Sequence, residues 1–219
     1  ITIQDVNDKP VIDQGEQLAH ESYDYVVNYI NLSASDEDNT TNELNWEISQ
    51  DPNSNGNVSV KEDDGRITLR SKDGYQGDYS FTVKVEDTEG GADTITVNET
   101  VLAPIEISTS AQLASVGQNA QMPLNGSYTL TNDMNLESLE DFEIASDPNS
   151  PFLGVFNGNR KALLNYKPQD PASSSIFGVI GKDALVRDLN VEDVQASFGS
   201  VDSAPLFADT IQGQVKRCG

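Results

Sequence analysis

The chain has 219 residues, with 36 Asp and Glu against 13 Lys and Arg, a formal net charge of −23 at pH 7. That sign excludes recognition of nucleic acid or of an anionic membrane by bulk electrostatics and makes cations the natural partners. The one cysteine, Cys218, excludes an internal disulfide framework, and no apolar run reaches the ~18 residues of a membrane-spanning helix.

The chain opens on a strand-like Ile1-Thr2-Ile3, followed directly by Asp5-Val6-Asn7-Asp8-Lys9-Pro10. No charged n-region with an apolar h-region precedes it. The expectation is an excerpt of a longer secreted protein, and a large secreted protein without disulfides points to a bacterial surface. Alternating apolar and polar residues then recur in short runs: Val58-Ser59-Val60, Arg66 to Leu69, Tyr79 to Val85 and Thr94 to Val97. Each reads as a half-buried strand. Asp63-Asp64-Gly65 and Glu89-Gly90-Gly91 supply the turn chemistry between them. Strands at this spacing predict an antiparallel sandwich over residues 10–103, with Leu44 and Trp46 as core anchors.

The opening segment places three oxygen-bearing side chains within four residues. Ca²⁺ takes about six to eight oxygen ligands at about 2.3–2.6 Å, so the remainder must come from elsewhere in the chain. Asp36-Glu37-Asp38 puts two carboxylates on one side of an extended segment, and Asp87 closes the strand Phe81 to Val85. A linker Asp-x-Asn-Asp, then Asp-x-Asp, then Asp after a late strand resembles the ligand order of cadherin repeats. The resemblance implies a cadherin-like Greek-key sandwich with Asp5, Asn7 and Asp8 on the linker side of a Ca²⁺ site. Asp36, Asp38 and Asp87 then belong to the following domain, and the three would complete the one site nearest it. At the other end, Val101 to Glu106 lacks Asp-x-Asn-Asp, and Lys72-Asp73-Gly74-Tyr75 stands where the family carries Asp-Arg-Glu. A metal-free downstream junction follows. The simpler alternative is that these Asp side chains cap loops.

The texture changes at Pro104. Ser108 to Val116 has helical spacing behind a Ser/Thr N-cap and predicts one short helix. Phe177-Gly178-Val179-Ile180-Gly181 and Leu206-Phe207-Ala208-Asp209-Thr210-Ile211 are near-copies about 30 residues apart, and such repetition points to stacked units. With Leu113, Leu124 to Leu136, Phe152 to Asn159 and Phe177 to Val194, this half resembles the glycine-rich repeats of bacterial adhesins and secreted peptidases that form right-handed β-helices. The resemblance implies a partial β-solenoid of two or three rungs over 104–219, its last face open at Gly219. Arg160 to Pro168 departs from it, and there an interruption of the second strand is expected. Cys218 is expected to be a small buried or edge hydrophobe.

Chemistry of other kinds is poorly supplied. His20 is the only histidine; no Gly-x-Ser-x-Gly accompanies it, and zinc sites need His or Cys in number. The reading is therefore an all-β, non-catalytic segment of a secreted bacterial surface adhesin. A Ca²⁺-rigidified spacer would join neighbouring domains of a long chain to a solenoid that contacts a cell-surface protein or glycan. The alternatives are an accessory region of a secreted peptidase or polysaccharide-degrading enzyme, and a carbohydrate-binding module using Tyr23, Tyr25 and Tyr29.

Overall fold

A computed structural model describes residues 6–50, 57–139, 142–168, 174–195 and 206–219. The chain divides into two compact units, Ile1–Leu102 and Ala103–Gly219.

The first unit is all-β. Its strands are β1 (Val11–Ile12), β2 (Gln17–Tyr23), β3 (Val27–Asn31), β4 (Ala34–Ser35), β5 (Asn45–Gln50), β6 (Val58–Asp63), β7 (Arg66–Ser71), β8 (Gly77–Glu86) and β9 (Ala92–Leu102). A 3-10 turn, Thr41–Glu43, precedes β5. One sheet has the order β2-β9-β8-β5 and the other β3-β7-β6, while β1 pairs with β4. The strands expected between Val58 and Val97 form, and Asp63 to Gly65 turns between β6 and β7; Ile1 to Ile3 lies outside the described residues, and the expected antiparallel pairing fails at β2–β9, where β2 returns parallel to β9. Alternation decides the faces: Phe81, Val83 and Val85 of β8 and Ile95 and Val97 of β9 point inward against Ile67 and Leu69 of β7. Removing such side chains from water stabilises a fold by about 1.5–3 kcal/mol each.

Leu44 is buried in this core and Trp46 packs against it. Trp46 also covers the β6–β7 turn: a Cβ on Gly65 would lie 2.8 Å from Leu32 O and 3.2 Å from the indole. Gly65 has φ +78°, a conformation open to glycine at little cost. Both constraints require glycine there.

The second unit is built differently. Its elements are β10 (Ile105–Ile107), α1 (Ser110–Ala114), β11 (Ser127–Leu130), β12 (Met134–Asn135), β13 (Val155–Leu164), β14 (Phe177–Ile180), β15 (Leu185–Glu192), β16 (Ala208–Ile211) and β17 (Gln214–Lys216). The strands β10-β11-β13-β15-β17 form one sheet in chain order, and every pair in it is parallel. Ile105 pairs with Tyr128, Ser127 with Val155, Val155 with Leu185 and Leu185 with Gln214, so the chain returns to the sheet after 23, 28, 30 and 29 residues. The two near-copies lie side by side as the parallel pair β14–β16, with Phe177 opposite Ala208.

An aromatic file runs through the core. Tyr128, Phe152, Phe156 and Phe177 are fully buried, and Phe177 stacks on toward Phe207 at 6.0 Å between ring centroids. Gly154 lets two turns of chain touch, since a Cβ there would fall 2.0 Å from Gly126 O. The short helix forms with Thr109 as N-cap: its hydroxyl accepts from Gln112 N, and Gln112 Oε1 accepts from Thr109 N. The expected interruption at Arg160 to Pro168 is not where the strand stops. β13 continues to Leu164, and the irregularity is a register shift between Asn157 and Lys161. Asn159 and Arg160 take positive φ there, a local bulge that absorbs the mismatch without ending the ladder. Cys218 packs at the edge of this core, and burial pushes its thiol pKa up. Among the described residues no helix is long and apolar enough to cross a membrane.

Candidate cation site

The candidate ligands lie at one end of the first unit, on loops that the strands hold. Asp5 lies outside the described residues. Asn7 and Asp8 precede β1, Asp36 and Asp38 follow β4, and Asp87 follows β8. These segments are far apart in sequence and meet in space. Asn7 Nδ2 donates to Asp87 Oδ2 at 3.0 Å, and Asp8 N donates to Asp38 Oδ2 at 2.7 Å. The linker segment thus touches both of the acidic segments that the sequence pairs with it.

Each acidic group has its own local reason for its position. Asp36 Oδ1 accepts from the backbone N–H of Asp38 and of Asn39, both at 2.8 Å, which folds the segment into a tight acceptor turn. Asp87 is buried, and its Oδ1 accepts from Glu89 N and Gly91 N, each at 2.8 Å. The Asn7 amide first, and these backbone N–H groups after it, hold its carboxyl below the usual aspartate range. Gly91 is required by this packing, since a Cβ there would lie 2.3 Å from Asp87 Oδ2. Beside the cluster, Lys9 sits 3.5 Å from Asp93, and Asp93 also accepts from Ile12 N. Asp8, Lys9, Val11, Ser35, Asp36 and Glu37 line a concave surface of about 400 Å³.

Two oxygens here fit a cation. Asp36 Oδ2 and Asn39 Oδ1 are buried and have no hydrogen-bond partner. An acceptor removed from water without a donor costs about 1–3 kcal/mol, and a hard cation with oxygen ligands is one way to remove that cost. Among the described residues, no three His, Cys, Asp or Glu side chains converge closely enough to form a metal site by themselves. The cluster is therefore an open arrangement drawn from several segments, with amide and backbone groups mixed among the carboxylates.

Residues 7–100 match the family of bacterial Ig domains. The matched stretch begins at Asn7, ends within β9 and so falls within the first unit. No curated protein matches the chain. Among solved structures, protocadherin gamma B7 extracellular cadherin domains 1–4 is 20% identical, covering 43% of this chain and 24% of that one at a TM-score of 0.35. Human CDH23 EC21-23 is 20% identical over 46% of this chain and 35% of its own, at 0.37. Titin domain M7 is 20% identical over 46% of this chain and 100% of its own, at 0.31. The chain spans about a quarter of the protocadherin structure and about a third of the CDH23 structure.

Two residues escape a reading by motif. Asn39 is visible only through its hydrogen bonds. Glu99 could have been found by parity, because it shares the inward face of β9 with Ile95, Val97 and Val101. It is buried, and its Oε2 lies 2.5 Å from Nδ1 of His20 on the neighbouring β2. The single imidazole thus ties two strands together. Two of the three tyrosines considered for sugar binding are engaged as well: Arg66 lies over the Tyr29 ring at 4.1 Å and Arg70 over Tyr25 at 3.9 Å.

Proposed function

We propose that this chain is a non-catalytic segment of a large secreted bacterial surface protein of the adhesin type. In this reading residues 1–9 are the end of a preceding repeat and its linker, and residues 10–103 are a Greek-key, cadherin-like spacer. Residues 104–219 are a partial right-handed β-solenoid. Ca²⁺ is held at the upstream linker by Asp5, Asn7, Asp8, Asp36, Asp38 and Asp87. When bound, Ca²⁺ supplies positive charge against the clustered carboxylates and removes freedom from a short interdomain linker. The rest is done by the chain: Asn7 and Asp8 dock the linker, the Asp36 turn and the turn after Asp87 present oxygen atoms, and the sandwich supplies reach.

The observation that carries the reading is the pair of linker hydrogen bonds, Asn7 to Asp87 and Asp8 to Asp38. Likeness of residues 7–100 to bacterial Ig domains supports the extracellular, non-catalytic part of it. The all-parallel ladders and aromatic file of the second unit support the solenoid, since each turn leaves a face that its neighbour covers. Its partners would be neighbouring domains of the same chain and a cell-surface protein. The rival, an accessory region of a secreted peptidase or polysaccharide-degrading enzyme, shares all these features and differs only in what the longer chain carries.

The test is thermal melting of the chain with and without Ca²⁺. Saturation at about a hundredfold over Kd stabilises a binding-competent fold by about 2.7 kcal/mol. A rise in Tm on adding Ca²⁺, lost in Asp36→Ala or Asp87→Ala, is expected. A melting curve indifferent to EDTA sinks the calcium reading.

A further inference from the structure

The hydrogen bonds around Asn39 determine which way its amide points. Asn39 Nδ2 donates to Thr88 Oγ1 at 3.1 Å, and Thr88 Oγ1 donates its own proton to Glu89 Oε2 at 2.7 Å. A hydroxyl has one proton to give, so toward Asn39 it can only accept. The amide nitrogen of Asn39 therefore faces Thr88, and the carbonyl oxygen is the atom left over. That oxygen is buried without a partner, and so is Oδ2 of Asp36, whose other oxygen accepts from Asn39 N. The two unsatisfied acceptors belong to residues joined by a hydrogen bond, from Asn39 N to Asp36 Oδ1. Asp87 presents the opposite case, with N–H donors on both of its oxygens.

Buried acceptor atoms without donors suit a cation, and Ca²⁺ takes amide carbonyls beside carboxylates. We propose that Asn39 is an additional ligand of the calcium site, its side-chain carbonyl acting together with Asp36 Oδ2, beside an Asp87 that also positions Asn7 and the 89–91 turn. The inference rests on the calcium reading above. It assigns a ligand outside the Asp-x-Asp and Asp-x-Asn-Asp motifs. It also assigns Thr88 a task, which is to hold the amide so that its oxygen is free.

The experiment compares the wild-type chain with Asn39→Ala, Asn39→Asp and Thr88→Val. Ca²⁺ binding is read by calorimetric titration, and the number of waters on bound Tb³⁺ by its luminescence lifetime in H₂O and D₂O. Asn39→Ala is expected to weaken Ca²⁺ at least about tenfold, the loss that even an outer-shell partner produces, and to add about one water to Tb³⁺. Asn39→Asp keeps an oxygen there and is expected to bind at least as tightly as wild type. Thr88→Val, which loosens the amide without removing its oxygen, is expected to weaken Ca²⁺ by less than Asn39→Ala does and to leave the water count unchanged. Wild-type affinity and water count in Asn39→Ala overturn the proposal and leave the calcium reading standing. So does a folded Asn39→Asp that binds no better than Asn39→Ala, and a Thr88→Val that binds Ca²⁺ as tightly as wild type overturns the part given to Thr88. A wild-type chain that binds neither ion overturns both.

Discussion

The two units handle polar groups in opposite ways. In the second, charges and hydroxyls meet partners about 30 residues away in sequence: Lys167 pairs with Glu137, Arg217 with Asp188 through two hydrogen bonds, and Ser175 Oγ lies 2.8 Å from Asp209 and 2.5 Å from Glu143. In the first, acidic groups gather at one end, and some of their oxygens are left without donors. Parallel pairing of strands about 30 residues apart brings residues at that separation into register, so their side chains can pair across strands. The loops at a sandwich end converge from distant segments, and there a group can be held free for a ligand. The difference separates groups that are paired within the fold from the groups that the proposed calcium site would use.

Core substitution should sharpen that contrast most. Phe177 touches Phe152 at 5.6 Å, Phe156 at 5.5 Å and Phe207 at 6.0 Å between ring centroids, and it is fully buried. Phe177→Ala is expected to cost the second unit about 3–5 kcal/mol in urea unfolding, with the first unit's transition unchanged. A uniform loss across both transitions would mean that the units do not unfold separately.

Next in size is a pH effect confined to the second unit. Burial first, and Asp209 after it, raise the Glu143 carboxyl above its ordinary value of 4.5. A carboxyl raised in the folded state contributes stability that is fully present below 4.5 and is lost as pH rises through the folded value. The contribution of Glu143 should therefore be larger under mildly acidic conditions than at neutral pH, against the opposite trend from Glu137, Asp147 and Asp188, whose carboxyls are held below their ordinary values. Glu143→Gln, which removes the negative charge while keeping the shape, should remove that contribution in melts followed across the acidic range. A pH dependence unchanged by the substitution would place the responsible proton elsewhere.

The smallest effect belongs to the exposed pair. Arg217 is largely in water, so Arg217→Ala should cost at most about 1 kcal/mol, and less at high salt. A larger loss by chemical denaturation would show that the Asp188 pair holds more than its exposure suggests.

The same contrast explains what was legible in the sequence. β8 and β9 could be read because burial on one face writes strict alternation, as in Phe81-Thr82-Val83-Lys84-Val85. β2 could not, because it is half-exposed along most of its length and its residues carry no such alternation. In the second unit the near-copies could be read, and they lie as neighbours. The bulge at Asn159 and Arg160 could not, because left-handed backbone at a non-glycine residue leaves no composition signal. Of the site, Asn7, Asp8, Asp36, Asp38 and Asp87 were visible as a motif. Asn39 was not, because its role depends on where Thr88 sends its proton, a fact of three-dimensional neighbours alone.

The most direct test of the central claim, that the linker and two acidic turns form one cation site, is a Ca²⁺ titration followed by amide NMR. Saturable shifts confined to Asn7 and Asp8, Asp36 to Asn39 and Asp87 to Gly91, abolished together by Asp36→Ala, are the expected result. Weak, unsaturating shifts spread over the acidic surface would contradict it.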